Sequence, residues 1–417
     1  MYKFSALLGL CLMLSCVVFS QNDSLHRKLE FVQEDFKDWM VRKGWGKPKE
    51  EKDHFLLVIP IVAANPTAGL IYGAGFTYAY KAHPSDTRLS SATSNATYST
   101  KQILNLNIKS NFFVAHEKLV LNGDWRYMVN NETTYGLGTK RFVSNGTDLE
   151  GYDLADDSTG DPLKFITIRF HETASWELLP NFFAGLGFQY DNVYNIQESA
   201  LAEGDTIRDY HYKYSTAHGF NPQKYITSGV SLNFIFDSRD NQVNAYTGYF
   251  ANVNYLVNAM ALGSSKNSSI LLTEFRSFYP LDGARKRHIL AFWLYGNFVV
   301  SGDVPYLDLP ALGYDQRQRS GRGYAFGRFR GENLAYGETE YRFPISAHTG
   351  ILGGVAFLNL TSTSDHQNNV NLLEYIRPGY GAGLRIMLDK KSRTRLEIDC
   401  ASGNKNIGFY FGAQETF

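Results

Sequence analysis

Five arginines crowd one stretch of the chain: Arg317, Arg319, Arg322, Arg328 and Arg330. Guanidinium groups in such a run either bind a polyanion or pair with carboxylates where water is scarce. A second concentration of charge is acidic, Glu150 to Asp161, with Asp153, Asp156, Asp157 and Asp161. Its spacing lacks the pattern of a calcium loop, so it reads as a solvated segment. The 10 histidines are scattered, with no His-Glu-x-x-His and no paired cysteines, so neither a metal nor a cofactor is expected. Ser, His and acidic residues are present without a nucleophile elbow, and the chain is not expected to be an enzyme. Lys and Arg total 41 against 41 Asp and Glu, so no long-range field argues for nucleic acid.

These side chains need elements to position them, and the chain's start says where those elements form. One Lys in Met1 to Phe4 precedes a nearly unbroken apolar run from Ala6 to Phe19, then Ser20 and the polar Gln21-Asn22-Asp23. That is the pattern of a signal peptide over 1–20, cut after Ser20; a lipoprotein cut before Cys16 would place Leu14 where a small residue is usual. Cleavage leaves Cys400 alone, so no intramolecular disulfide is expected. No later stretch matches the ~18–20 apolar residues of a spanning helix.

Residues 24–43 place Leu25, Leu29, Val32, Phe36 and Trp39-Met40 at helical spacing among charges. This predicts one amphipathic helix, ended by Gly44, Gly46 and Pro48, within a helix-and-linker region over 21–54. It could plug a lumen, lie on a lipid leaflet, dock a partner or be a partly ordered leader. From Gly69 onward the period becomes two. Val230, Leu232, Phe234 and Phe236 alternate with Ser231, Asn233 and Asp237, and Phe182, Ala184, Leu186 and Phe188 with Gly185, Gly187 and Gln189. The second face is too polar for a sandwich core. With 27 Tyr, 29 Phe and 37 Gly, the pattern predicts an all-β fold over 55–417, a transmembrane antiparallel barrel of about sixteen strands. The mean hydropathy of −0.28 fits, because alternation dilutes apolar residues. The segments run from 68–82 to 406–417, with 117–129 and 133–142 as separate strands and Phe55–Ala63 as a lead-in or an extra strand. The longest connections, 143–163, 194–223, 301–332 and 362–375, all follow odd-numbered strands, so one rim carries long loops and the other short turns. In that setting the arginine-rich stretch is a loop packed in the lumen rather than a site for nucleic acid or lipopolysaccharide. Cys400 faces lipid.

Ser320-Gly321-Arg322-Gly323-Tyr324, Gly327-Arg328-Phe329-Arg330 and a strand ending Glu340-Tyr341-Arg342-Phe343-Pro344 resemble the bacterial surface antigen family of outer-membrane assembly and translocation barrels, the BamA/TamA-like family. The resemblance implies that this loop folds back into the lumen and that its Arg contacts the inner wall. By alternation Glu340, Phe357 and Asn359 face inward, so Arg322, with Gly323 and Tyr324, is expected to meet Glu340, with Asn359 beside them. The family usually has Asp where Asn359 stands. Phe236 to Asn241, with Asp237, Arg239 and Asp240 and with Gly248 opening the next strand, resembles the family's inner-rim turn. The last strand, with Phe409, Phe411 and Phe417, resembles the signal that marks barrels for assembly.

The resemblance implies a monomer in the outer membrane of a Gram-negative bacterium, in contact with lipid and lipopolysaccharide. It implies a role in or beside membrane-protein assembly or translocation, with the assembly machinery or client proteins as partners. A seam between strand 68–82 and strand 406–417 would open, eased by Gly69, Gly73, Gly75, Gly408 and Gly412. Only about 45 residues precede the first such strand, short of one periplasmic repeat of ~70–80 residues, so a short branch without repeats is expected. The competing expectation is a passive or helix-plugged channel or a structural barrel.

Overall fold

A computed structural model describes residues 33–45, 54–65, 69–81, 83, 88, 90–139, 160–198, 210–283, 287–403, 406–412 and 415–417. The predicted signal peptide, the start of the predicted amphipathic helix and acidic residues 150–159 lie outside the described residues.

Sixteen strands form one sheet in chain order, each antiparallel to the next. They are β1 (His54–Asn65), β2 (Gly69–Tyr80), β3 (Ser90–Ser99), β4 (Leu104–Val114), β5 (Leu119–Thr134), β6 (Asp161–Leu179), β7 (Phe182–Glu198) and β8 (Lys224–Asp237). There follow β9 (Gly248–Asn258), β10 (Ser268–Pro280), β11 (Ile289–Gly302), β12 (Asn333–Pro344), β13 (Leu352–Thr363), β14 (Arg377–Asp389), β15 (Thr394–Gly403) and β16 (Asn406–Gly412). Two short helices are described, α1 (Phe36–Arg42) and α2 (Tyr210–Ala217).

Alternation decides which side is wet. On β13 Leu352, Ala356, Leu358 and Leu360 are exposed, while Val355, Phe357, Asn359 and Thr361 are buried. The outward set is apolar and the inward set holds polar groups, the reverse of a soluble sheet and the pattern of a barrel in lipid. On β8 Val230, Leu232, Phe234 and Phe236 face out, with Ser231 and Asn233 buried. Exposed Tyr249, Tyr279 and Tyr341 lie near the short-turn ends of their strands, where aromatic rings favour the lipid–water boundary. Cys400 is exposed on this outer face.

Three sequence expectations change. Phe55–Ala63 belongs to a full strand, β1, which pairs with β2 from His54↔Tyr80 to Asn65↔Gly69. Segments 117–129 and 133–142 are not two strands. Asn130-Asn131-Glu132 looks like turn chemistry, yet it pairs with Leu163 to Phe165, and the β5–β6 ladder continues to Thr134↔Asp161. The total stays sixteen because one strand is gained and two are merged. The seam moves accordingly: the first strand is β1, and Gly69, Gly73 and Gly75 lie on β2, away from the seam. Among the described residues fifteen ladders join consecutive strands; none joins β1 to β16, although the two lie side by side.

The described helix is also shorter than the predicted one. Its N-cap Asp35 and Asp38 form a reciprocal capping box. It sits outside the lumen, under the short-turn rim, where Glu34 N donates to Thr349 O (2.9 Å) and Lys390 Nζ to Asp38 (2.8 Å).

Candidate functional site

The loop between β11 and β12, residues 303–332, turns back into the barrel. Arg330 braces the loop internally, donating to Tyr306 O (3.0 Å) and Leu307 O (2.9 Å). Asp315 tightens the next turn by accepting from Arg317 N (3.0 Å) and Ser320 N (2.8 Å). The chain then passes through two left-handed glycines, Gly321 (φ 82°) and Gly323 (φ 102°). At Gly323 a Cβ would lie 2.7 Å from the Ser402 carbonyl carbon on β15, so only glycine lets the loop press against that wall.

Arg322, 1% exposed, is delivered by this turn to a group of carboxylates. Its Nη2 donates to Glu338 and Glu340 on β12, and its Nη1 to Asp399 on β15 at 2.5 Å. The guanidinium lies 3.5 Å from the centroid of the Phe357 ring, and Asn359 Nδ2 donates to the Arg322 carbonyl (3.0 Å). The structure therefore brings Arg322, Glu340, Phe357 and Asn359 together and adds two acids, Glu338 and Asp399, that sequence reasoning did not assign. Gly323 N donates to Tyr410 Oη (2.9 Å) and Tyr324 Oη to Pro378 O (2.6 Å), which ties the same loop to β16 and β14.

The charges extend outward from there. Arg342 Nε donates to Glu340 (2.7 Å), Arg385 to Asp399 (2.5 Å) and Glu415 (2.7 Å), and Arg319 to Glu397 (2.8 Å). Each carboxylate of this network has a cationic partner. Breaking one member of such a buried set typically costs about 3–5 kcal/mol, because the charges left behind stay desolvated. The network is a clamp that fixes the loop against β12, β14, β15 and the end of the chain. Charged inward positions on membrane-crossing strands are the signal that finds Asp399, Glu397 and Arg385: each alternates with an outward apolar neighbour.

Elsewhere the predicted residues fall into separate places. At the short-turn rim Asp237 accepts from Arg239 (2.8 Å), whose guanidinium stacks 4.6 Å from the Phe250 ring. Asp240 accepts from Tyr246 N (2.9 Å) and pairs with Arg393 of the β14–β15 turn (2.9 Å). The β8–β9 turn is thus strapped to the β14–β15 turn. Of the three terminal aromatics, Phe409 (50% exposed) and Phe411 (41%) face lipid. Phe417 is buried inside, 5.4 Å from Trp293, and its carbonyl accepts from Arg342 (3.0 Å). No cluster of His, Cys, Asp or Glu suited to a metal occurs among the described residues.

One arrangement has the order of a hydrolytic triad. Ser215 Oγ lies 3.3 Å from His211 Nε2, and His211 Nδ1 lies 3.1 Å from Glu198. Ser215 is wholly buried and the His211 ring packs edge-on against Tyr306. A nucleophile must reach substrate, so this trio serves to seat α2 on the lumenal loop.

The sequence profile of the Omp85 superfamily domain matches residues 95–417. Among solved structures, BamA from Haemophilus ducreyi lacking POTRA domains 1–3 superposes with a TM-score of 0.53 at 16% identity, covering 87% of this chain and 70% of that one. CdiB from Acinetobacter baumannii gives 0.51 at 11% identity, covering 87% of this chain and 60% of that one. No curated relative matches the sequence. The sixteen-stranded antiparallel barrel, its lumenal arginine loop and the profile match agree, and the chain belongs to the Omp85 superfamily.

Proposed function

We propose that this barrel works in the outer membrane of a Gram-negative bacterium by opening sideways between β1 and β16, to help insert or pass other membrane-protein chains. The observation that carries this reading is the unladdered seam. Among the described residues β16 has 7 residues against 12 in β1, and no ladder joins them, so the β1 edge is left unpaired there. Free backbone N–H and C=O groups along an edge template the pairing of another strand. Pro60 stands in β1, as prolines in sheets do on edges. The lumen supports the same reading: loop 303–332 turns back into it and is clamped by buried ion pairs, which disfavours a wide passive pore.

In this reading the clamp keeps β12 to β16 in register while the seam moves, and the partners are client barrel proteins or the assembly machinery, with lipid and lipopolysaccharide around a single copy. The test is reconstitution. Vesicles carrying the protein are expected to fold an added, unfolded outer-membrane barrel faster than empty vesicles, read as protease-protected barrel over time. Equal rates with and without the protein, together with a steady wide conductance in planar bilayers, would assign the chain to channels instead.

A further inference from the structure

α1 is attached to the barrel the wrong way round for a helix in water. A docking helix normally buries its apolar stripe and leaves charge outside. Here the acidic side is the attached one: Asp35 is 2% exposed and, with Asp38, faces Lys390 of the β14–β15 turn. No residue of the helix is buried, Phe36 is 40% exposed and Trp45, just beyond it, is 71% exposed. The aromatic rings have gathered on each other instead. Phe36 stacks on Trp39 at 5.5 Å, and Trp45 meets Trp39 edge-on at 5.8 Å.

The position of Trp45 is built. The helix stops at Lys43, Gly44 takes a left-handed conformation (φ 76°), Gly44 N donates to Val41 O and Trp45 N to Met40 O, both 2.9 Å. This double bond pattern is the Schellman stop, and it turns the chain so that Trp45 folds back onto the helix. Nothing in the described barrel covers the cluster. The helix is held by the turns on either side of β13 and β14, whose adjoining residues Ile345 (50% exposed) and Leu352 (43%) belong to the lipid-facing surface. Lys37, Arg42 and Lys43 are exposed around the rings. Trp with basic neighbours at the edge of an apolar belt is the composition that favours lipid headgroups.

We propose that α1 is an interfacial anchor, laying Phe36, Trp39 and Trp45 into the headgroup region of the leaflet at the short-turn rim as a continuation of the barrel's own lipid face. The chain has five Trp, so Trp45 emission is isolated as the difference between the full protein and its Trp45→Phe variant, both reconstituted in vesicles. In phosphatidylcholine brominated high on the acyl chains, that difference is expected to fall by roughly twofold or more, while acrylamide in the water lowers it less. The same comparison with Trp39→Phe tests the second ring. Stronger quenching by acrylamide than by bromine would put the cluster in water and overturn the proposal. Indifference to both quenchers would put it against protein, and overturns it equally. Because Trp45 is mostly exposed, its replacement leaves the barrel's fold intact.

Discussion

Arg322 shows what one buried cation requires. It is surrounded by Glu338, Glu340 and Asp399, stacked on Phe357, and its carbonyl takes a hydrogen bond from Asn359. Asn359 stands where relatives usually carry a carboxylate, and the geometry explains why an amide suits this chain. Its Nδ2 donates to a carbonyl, and a carboxylate there would set oxygen against oxygen beside three acids already sharing one guanidinium. Asn359→Asp is therefore expected to destabilise the barrel by about 1–3 kcal/mol, the cost of exchanging a made hydrogen bond for an unsatisfied buried group. The shift of the urea midpoint of the folded band on cold gels checks it. A variant as stable as the parent would mean that the loop relaxes away from the wall. Alternation in the sequence was enough to aim Glu340, Phe357 and Asn359 inward. It could not tell which inward acids share a height in the barrel, because that depends on strand stagger and on where a thirty-residue loop returns. Alternation marks Asp399 as an inward charge, but its pairing with Arg322, far along the chain, was illegible for that reason.

The loop carrying Arg322 is an element with its own titration. Asp308 sits in its helical turn, Tyr306–Asp308, and accepts from Thr227 (3.1 Å). Burial, reinforced by the neighbouring Asp191 carboxylate, pushes its pKa up to about 7. A raised carboxyl pKa means the docked loop holds a proton that the undocked loop has lost. Docking is thus firmest below the ordinary value of 3.8 and weakens as pH rises through the window up to about 7. Protection of the backbone amides over 303–332 from hydrogen exchange, taken relative to the intrinsic rate at each pH, is expected to be weaker at pH 8 than at pH 5, and Asp308→Asn is expected to flatten that difference. A pH profile unchanged by the substitution would place the sensitive group elsewhere. At this scale the strands were largely readable, since period-two patterning is a property of neighbours in sequence. The exceptions have physical reasons. The Leu56-Leu57-Val58-Ile59 run of β1 does not alternate, and the polar Asn130-Asn131-Glu132 of β5 is held in a strand only by its partner in β6.

For the whole molecule, the decisive feature is that no ladder joins β1 to β16 among the described residues. Closing a barrel normally removes every edge, and leaving one exposed is a liability unless it is used. The sequence foretold sixteen strands and the sorting of loops between rims, but it placed the seam one strand too late, at β2, because the apolar run Phe55–Ala63 does not alternate and reads as a lead-in or an extra strand. The seam is set by which neighbouring strands form no ladder, a property of the closed fold that no local pattern carries. The most direct test replaces Cys400 with Ser, introduces one cysteine on β1 and one on β16 facing each other across the gap, and measures barrel folding in reconstituted vesicles with the bond oxidised and then reduced. The oxidised protein is expected to lose its acceleration and to regain it on reduction. An oxidised protein that accelerates folding as well as the reduced one would contradict it.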